Sequence, residues 1–355
     1  MIRRLKPTLR THPDMSNPFA RNPRLAAVLS LACLLLAAPL PARAAEAVTA
    51  PCYSAPVAGK RVGDQIWHVC TRHLGCDASV VGLPDYRVRY YAQGAWHTAN
   101  ANAFLAQDDP ALPTVFFIHG NRYSSADAVD SGWEAYYALM RRPPTGPIRL
   151  VIWSWPSERE GGPIRDARAK AARTLAESYY LARLMTNIKP EVATSLLGYS
   201  FGGRVALGAV HLAAGGQLAG RTVPVPPTKE VGLYRVAILA AGVENNGLMP
   251  GARFQMAMSR TEQLLNFYNS CDPILRRYHL VSKGEHPVAM GYTGIVGEDA
   301  LGGAAQRIWE QDVSEIVGKS HNEDGYFQSE HVMRQVRATV LVPPVALSAK
   351  VAKKK

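Results

Sequence analysis

Residues 194–214 read TSLLGYSFGGRVALGAVHLAA, in which an apolar strand-like run and an amphipathic helix-like run flank a short glycine-rich segment. The centre of that segment is Ser200, with Gly198 and Gly202 two residues away on either side. This pattern predicts a sharp strand-to-helix turn, where larger side chains at the glycine positions would collide with the neighbouring strand and helix. The turn would lift the serine hydroxyl above a sheet, at a helix N-terminus that favours developing negative charge.

The chain around this segment alternates between short apolar runs and helix-like runs. The predicted strands are Thr114–Ile118, Arg149–Trp153, Thr194–Leu197, Tyr234–Leu239, Leu264–Phe267 and Val313–Val317, preceded by β-like stretches at Gln65–Thr71 and Tyr86–Ala92. The predicted helices include Ala126–Met140, Ile164–Thr186 and Phe201–Ala214. Continuous apolar strands that alternate with helices indicate an α/β fold, with a mostly parallel central sheet and helices on both faces.

A second motif lies about 80 residues before the serine. The apolar run Val115–Ile118 ends in His119, Gly120 and Asn121. In a fold of this kind the loop after such a strand supplies backbone N–H groups to an oxyanion hole. We expect the donors to be the N–H groups of Asn121 and Phe201, with Arg122 as the next candidate, and we interpret His119 as structural.

A nucleophilic serine needs a general base, and the base needs an orienting carboxylate. Asp272 follows the predicted strand Leu264–Phe267, and His321 follows the predicted strand Val313–Val317. The order Ser200, Asp272, His321 along the chain is the order typical of this architecture. Glu244, after the strand before Asp272, is an alternative acid. Three other histidines remain as rivals to His321, although none follows a strand: His279, His286 and His331.

The strand ending in His-Gly, the GYSFGG turn, and the late aspartate and histidine resemble the α/β-hydrolase superfamily, in particular its serine esterase and lipase-like members. The resemblance covers roughly residues 65–340. It implies the α/β-hydrolase fold, a catalytic triad of Ser200, Asp272 and His321, and no cofactor. Only about 24 residues separate Leu239 from Leu264, so we expect no separate cap domain.

The N-terminal region predicts export. The apolar run 25–40 follows Arg21 and Arg24 and is succeeded by small residues up to Ala44, which is typical of a secretory signal. We therefore divide the chain into a signal peptide at 1–44, a hydrolase domain at 45–342 and a basic tail at 343–355. A membrane anchor is the alternative interpretation of the run, and Met15 is an alternative start.

Charge and cysteine content exclude some classes of function and suggest a compartment. Removal of residues 1–44 lowers the formal net charge from +12 to +6, and no basic cluster with interleaved aromatic residues indicates nucleic-acid binding. No cysteine pair has convincing metal-ligand spacing. In an oxidising compartment we expect at least one disulfide between two of Cys52, Cys70 and Cys76, whereas Cys271 stays reduced.

Together these features predict a periplasmic or secreted serine hydrolase that cleaves small or lipid-like carboxylic esters through an acyl-enzyme. An acyltransferase or amidase using the same triad is the enzymatic alternative. A non-catalytic hydrolase-fold binding protein is the alternative from another class. We expect no nucleic-acid partner and no stable membrane insertion after signal removal.

Overall fold

A nine-stranded, mostly parallel sheet forms the centre of the part of the chain that the computed structural model describes, namely residues 59–76, 82–144, 146–224, 233–281 and 286–341. Its strands are β1 (Gln65–Cys70), β2 (Arg87–Ala92), β3 (Ala95–Ala99), β4 (Thr114–Ile118), β5 (Arg149–Ser154), β6 (Thr194–Tyr199), β7 (Tyr234–Leu239), β8 (Thr261–Tyr268) and β9 (Ile308–Asp312). They lie side by side in the order β3-β2-β1-β5-β4-β6-β7-β8-β9. The pairs β1–β2 and β2–β3 are antiparallel, and all other neighbours are parallel.

The described helices are α1 (Ala101–Leu105), α2 (Ser125–Met140), α3 (Pro163–Met185), α4 (Phe201–Ala213), α5 (Met290–Thr293), α6 (Ser314–Val317), α7 (Asp324–Gln328) and α8 (Glu330–Val340). Three 3₁₀ helices occur at Ala257–Ser259, Leu275–Leu280 and Glu298–Arg307. Two of these helices begin at residues that favour a helix N-terminus. Ser124 caps α2 in a reciprocal capping box with Asp127, and Pro163 occupies the first turn of α3, where its missing N–H costs nothing.

Helices cover both faces of the sheet. Phe117 of β4 is aligned with Ile152 of β5, and Ile152 packs against α2 so closely that a Cβ on Gly132 would lie 2.5 Å from its side chain. The next residue, Ile118, points to the other face because side chains alternate along a strand. On that face Ile238 packs against α4. Strands β4, β5 and β6 are therefore buried throughout, which explains their continuous apolar sequences.

The carboxyl edge of the parallel strands is where the predicted functional residues converge. Strand β4 lies between β5 and β6, so the chain leaves β4 towards one side of the sheet and later returns to its other side. Such a reversal opens a crevice at the carboxyl ends of the strands, where ligands bind in α/β proteins. Ser200 directly follows β6 at this crevice, and His119 directly follows β4.

The predicted architecture is confirmed, with two local corrections. Val313–Val317 is not the last strand: β9 is the preceding segment, and Ser314–Val317 forms the short helix α6. Short apolar runs do not distinguish a strand from a helical turn, and β9 itself is mostly polar. The hairpin strand β3 was not predicted. Between β7 and β8 the chain contains only one 3₁₀ helix, so the expected absence of a cap domain at this position is confirmed.

The predicted disulfide between two of Cys52, Cys70 and Cys76 is not found among the described residues. Cys70 and Cys76 are free thiols, as is Cys271; Cys70 is buried at the end of β1, whereas Cys76 is exposed. Cys52, the predicted signal peptide at 1–44 and the tail at 343–355 lie outside the described residues. No helix in the described segments has the length and apolar character needed to cross a membrane.

Candidate active site

Ser200 occupies a strained turn between β6 and α4. Its φ of 53° and ψ of −120° lie outside the regions that residues other than glycine normally adopt. Three backbone hydrogen bonds hold this conformation: Ser200 N–H donates to Leu239 O at 2.9 Å, and Ser200 O accepts from Gly203 and Gly242, each at 3.0 Å. Strain of this kind costs about 1–3 kcal/mol and persists only where the surroundings impose it.

The two glycines of the motif are required by close packing. A Cβ on Gly202 would lie 1.9 Å from the carbonyl oxygen of Ile118, at the end of β4. A Cβ on Gly198 would lie 2.7 Å from the Cα of Gly203. The turn therefore approaches both the neighbouring strand and its own helix at distances that exclude any side chain, as the sequence pattern predicts.

The structure brings Ser200, His321 and Asp272 into one hydrogen-bonded chain. Ser200 Oγ lies 3.0 Å from His321 Nε2, and His321 Nδ1 lies 2.6 Å from Asp272 Oδ2. Asp272 is fully buried, and its other oxygen, Oδ1, accepts from the N–H groups of Ile274 and Leu275 at 2.8 and 2.9 Å. Because the carboxylate accepts, the proton of a neutral His321 sits on Nδ1. The lone pair of Nε2 then faces the serine hydroxyl.

The histidine loop, residues 318–321, is held by two side chains that the sequence reasoning missed. Asn269 donates through Nδ2 to Gly318 O at 2.8 Å and to Ser320 O at 3.0 Å. The hydroxyl of Tyr199 donates to the carbonyl oxygen of His321 itself. Both residues adjoin motif positions, one directly before Ser200 and one three residues before Asp272. The sequence therefore places both residues beside motif positions, but it contains no further sign that their side chains hold the histidine loop.

The loop after β4 lies against the serine. A Cβ on Gly120 would be 3.2 Å from Ser200 Cβ. Among the described residues, neither Asn121 N–H nor Phe201 N–H donates a hydrogen bond to a protein acceptor. The alternative donor, Arg122 N–H, is already engaged with Ser157 O at 2.6 Å. Of the three N–H groups considered from the sequence, the two preferred ones thus remain available to an oxyanion.

The oxyanion loop, residues 119–122, is fixed from α3. The buried carboxylate of Asp166 accepts from Asn121 Nδ2 and Arg122 Nε, each at 3.1 Å, and from Glu160 N–H at 2.8 Å. Burial alone would raise the pKa of Asp166. These donors outweigh burial and hold its pKa below the usual value, so the anchor stays charged.

His119 is a structural residue, as interpreted from the sequence. Its ring is fully buried and stacks on Trp155, with centroids 5.6 Å apart. Trp155 N–H donates to His119 Nε2 at 3.2 Å, and Nδ1 lies 2.9 Å from Gly120 O. Burial lowers the pKa of His119 to about 3, so the ring is neutral at physiological pH. Trp155 is itself completely buried.

The rival residues are engaged elsewhere. Glu244 Oε2 forms an ion pair with the buried Arg204 at 2.5 Å, and its Oε1 lies 3.5 Å from Arg253. Burial raises the pKa of Glu244, but Arg204 more than offsets this and lowers it. His331 Nε2 contacts Gln311 Oε1 at 3.0 Å. Within the described residues, none of these groups contacts Ser200 or His321.

No cluster of three or more His, Cys, Asp or Glu side chains that could hold a metal ion occurs in the described part of the chain. The groups that the structure brings together at this site are the serine, the imidazole, the carboxylate and the free N–H groups. Such a set can carry out nucleophilic attack on a carbonyl, with proton transfer through the imidazole.

Comparison with known proteins adds little. No protein-family model and no curated protein matches the chain. Among solved structures, acyl-protein thioesterase 2 of Zea mays is 16% identical, with 64% of this chain and 91% of that chain covered and a TM-score of 0.36. An acetyl xylan esterase is 14% identical, with 64% and 99% covered and a TM-score of 0.34. Carboxyl esterase 2 of Tuber melanosporum is 12% identical, with 73% and 82% covered and a TM-score of 0.34.

With TM-scores this low, the fold is identified from the chain's own topology. A parallel sheet whose order reverses at β4 carries a strained serine turn after β6, an acid after β8 and a histidine after β9. This chain has the α/β-hydrolase fold.

Proposed function

We propose that the protein is a serine hydrolase that cleaves carboxylic esters through an acyl-enzyme intermediate. One observation carries the proposal: a strained, backbone-fixed serine whose Oγ lies 3.0 Å from an imidazole that is oriented by a buried carboxylate at 2.6 Å. Each distance is within the reach required for proton transfer. The strain at Ser200 also supports a functional role, since it has no evident structural benefit.

The first half of the proposed reaction forms the acyl-enzyme. Ser200 Oγ attacks the ester carbonyl carbon while His321 Nε2 takes the hydroxyl proton. The carbonyl oxygen becomes an oxyanion that accepts hydrogen bonds from the N–H groups of Asn121 and Phe201. Collapse of this intermediate breaks the bond to the alcohol, and His321 returns the proton to the leaving oxygen. Asp272 keeps the proton of the neutral ring on Nδ1 and stabilises the imidazolium that forms.

The second half releases the acid. Water takes the place of the alcohol, gives its proton to His321 and attacks the acyl carbon. The resulting intermediate expels Ser200 Oγ, which regains the proton from the imidazolium. If another alcohol or an amine replaced water, the same steps would describe the acyltransferase alternative. The ratio of free acid to transferred product distinguishes the two.

The experiment that tests this proposal is labelling by a fluorophosphonate, which reacts with activated serines without requiring the natural substrate. We expect the wild-type protein to be labelled and the Ser200→Ala variant to be unlabelled, with kcat on a p-nitrophenyl ester reduced by at least about 10³-fold. Ser259→Ala is the matched control, because Ser259 is exposed and its hydroxyl contacts only Met256 O in the described residues. Labelling that survives Ser200→Ala, or a folded wild-type protein that takes no label, would contradict the proposal.

The site of action is proposed to lie outside the cytoplasm. The Arg-flanked apolar run 25–40 and the small residues up to Ala44 support this assignment. N-terminal sequencing of the protein recovered from periplasm and medium should find a start near Ala45. Recovery in the cytoplasm with residues 25–40 still attached would refute it.

A further inference from the structure

The segment that follows β5 towards the site contains three acidic residues, and all three are already paired. Glu158 forms an ion pair with Arg72, and Glu160 with Lys170. Asp166 is buried and pairs with Arg122. These carboxylates are therefore compensated by cations from the turn after β1, from α3 and from the oxyanion loop. They leave the remaining arginines of the same segment without a counter-charge.

Three arginines of this segment and two of the segment 273–280 form what we term the basic rim: Arg159, Arg165, Arg168, Arg276 and Arg277. Within the described residues none of them forms an ion pair. Two contact only neutral carbonyl oxygens, Arg168 with Leu280 O at 2.9 Å and Arg277 with Pro273 O at 2.6 Å. Arg168 is partly buried and the other four are exposed.

The two segments that contain the basic rim adjoin the proposed site at two points. The first part of the rim, in residues 158–168, is bound to the oxyanion loop through Asp166. Its second part, in residues 273–280, begins directly after Asp272 and contains no acidic residue. The hydrogen bond between Arg168 and Leu280 O joins the two parts. The acid that adjoins this second part, Asp272, is buried against His321, so residues 273–280 are strongly positive.

The charge of the rim is local and not a property of the whole domain. Between residues 59 and 341 the chain has 29 Lys and Arg residues against 26 Asp and Glu residues. Five uncompensated cations at one edge thus exceed the net charge of this entire span. Across the site, the segment 314–324 has the single cation Lys319 against the exposed Glu315 and the half-buried Asp324.

We propose that the substrate is an ester with an anionic group, a carboxylate or a phosphate, on its acyl chain or on its alcohol. The proposal rests on the ester hydrolase activity proposed above. A cleft edge of one sign raises the local concentration of oppositely charged substrate and its rate of capture by about 10- to 10³-fold at low salt. Arginine also matches the planar geometry of carboxylate and phosphate oxygens.

The test compares ester pairs that are matched in size, with one neutral and one anionic member. For the acyl side these are p-nitrophenyl hexanoate and the mono-p-nitrophenyl ester of adipic acid. For the alcohol side they are the acetates of 4-hydroxybenzamide and 4-hydroxybenzoic acid. We expect kcat/KM of the anionic member to exceed that of its neutral partner by about tenfold or more in at least one pair near 0.01 M salt, where the Debye length is about 30 Å. The preference should shrink several-fold at about 0.5 M salt.

The double variant Arg165→Gln/Arg276→Gln removes one charge from each part of the basic rim. We expect the ratio of the two kcat/KM values to fall by about fivefold. The matched control is Arg87→Gln/Arg334→Gln, which makes the same change in net charge at two exposed arginines, on β2 and α8, outside the rim segments. It should leave the ratio unchanged.

The outcomes separate this inference from the proposed function. If neutral esters are cleaved but the ratio is near one, insensitive to salt and equal in both double variants, the anionic substrate is overturned while the hydrolase remains. If no ester is cleaved and the fluorophosphonate does not label Ser200, the hydrolase itself is overturned, and this inference with it.

Discussion

Replacement of Asp272 by asparagine tests the orientation of the base with the smallest change in shape. In the wild type Asp272 Oδ1 accepts from the N–H groups of Ile274 and Leu275, and Oδ2 accepts from His321 Nδ1. An asparagine has only one accepting oxygen. If that oxygen stays with the two N–H groups, the amide NH₂ faces Nδ1 and forces the ring proton onto Nε2. The base then has no lone pair for the serine hydroxyl.

The alternative orientation sets the size of the effect. A flipped amide would present its oxygen to His321 and keep the active tautomer, but its NH₂ would face two backbone N–H groups. Leaving each buried donor unsatisfied costs about 1–3 kcal/mol, or about 2–6 kcal/mol for the pair. The active orientation is therefore populated between about 1 in 30 and 1 in 10⁴, since 1.4 kcal/mol corresponds to tenfold. We expect Asp272→Asn to lower kcat by a factor in this range, near 10³.

The assay is kcat on a p-nitrophenyl ester, normalised to the folded fraction from circular dichroism. Glu244→Gln is the control, since Glu244 pairs with Arg204 and has no contact with His321 in the described residues. Glu244→Gln should reduce stability but leave kcat of the folded protein within about fivefold of the wild-type value, because the tautomer of His321 does not change. Near-normal activity in Asp272→Asn together with a large loss in Glu244→Gln would refute the reasoning and assign the orienting acid to the earlier position.

Three further predictions concern packing, the histidine loop and pH. Gly202→Ala should lower the free energy of unfolding in urea by at least about 3 kcal/mol, because the added Cβ would overlap Ile118 O. Gly303→Ala is the control: it has open space around it and should cost under about 1 kcal/mol. Equal urea midpoints for the two variants would contradict this prediction. Tyr199→Phe removes the hydroxyl that donates to the carbonyl oxygen of His321. It should lower kcat about tenfold and the free energy of unfolding by about 1 kcal/mol. An unchanged kcat would exclude a positioning role for Tyr199. Burial raises the pKa of Glu323 from 4.5 to about 7, so its contribution to stability is present below pH 4.5 and is lost as pH rises through 7. From pH 5 to pH 8 the free energy of unfolding, measured by thermal unfolding, should therefore decline by about 2.5 kcal/mol, and Glu323→Gln should remove this decline. Parallel pH profiles of the wild type and the variant would be inconsistent with this prediction.

The parts of the fold that could be predicted are those in which burial dictates residue type. Strands β4 and β7 have the predicted bounds, because strands covered on both faces need continuous apolar residues. Strand β9 was not predicted, because its sequence IWEQD is mostly polar. It lies at the edge of the sheet, where Trp309 is exposed. Strand β3 is also an edge strand. At an edge one side of the backbone is unpaired, and the composition is correspondingly less constrained.

The disulfide prediction failed for a different reason. An even number of cysteines indicates bridges only on the premise of an oxidising compartment and a suitable distance, and the sequence provides no distance. Cys70 ends a buried strand with its thiol in the interior, whereas Cys76 is exposed at the end of the following turn. Their separation of six residues along the chain did not reveal that they lie in different environments.

The placement of His321 shows why a site residue can be predicted although the element before it is not. The sequence predicts His321 as the base because it follows a predicted strand at Val313–Val317, yet Ser314–Val317 is a helical turn and the last strand ends at Asp312. The position of His321 is set by hydrogen bonds to backbone carbonyls of the loop from Asn269, at the end of β8, and from Tyr199, at the end of β6. Carbonyl oxygens are the same for every residue type, so residues 318–321 contain no trace of these bonds. The usable signals were that His321 follows Asp272 in the chain and that it lies shortly after a predicted strand. Because every strand of a parallel sheet brings its carboxyl end to the same edge, the loop after a late strand passes the turn at Ser200 even when that strand is placed one element too late.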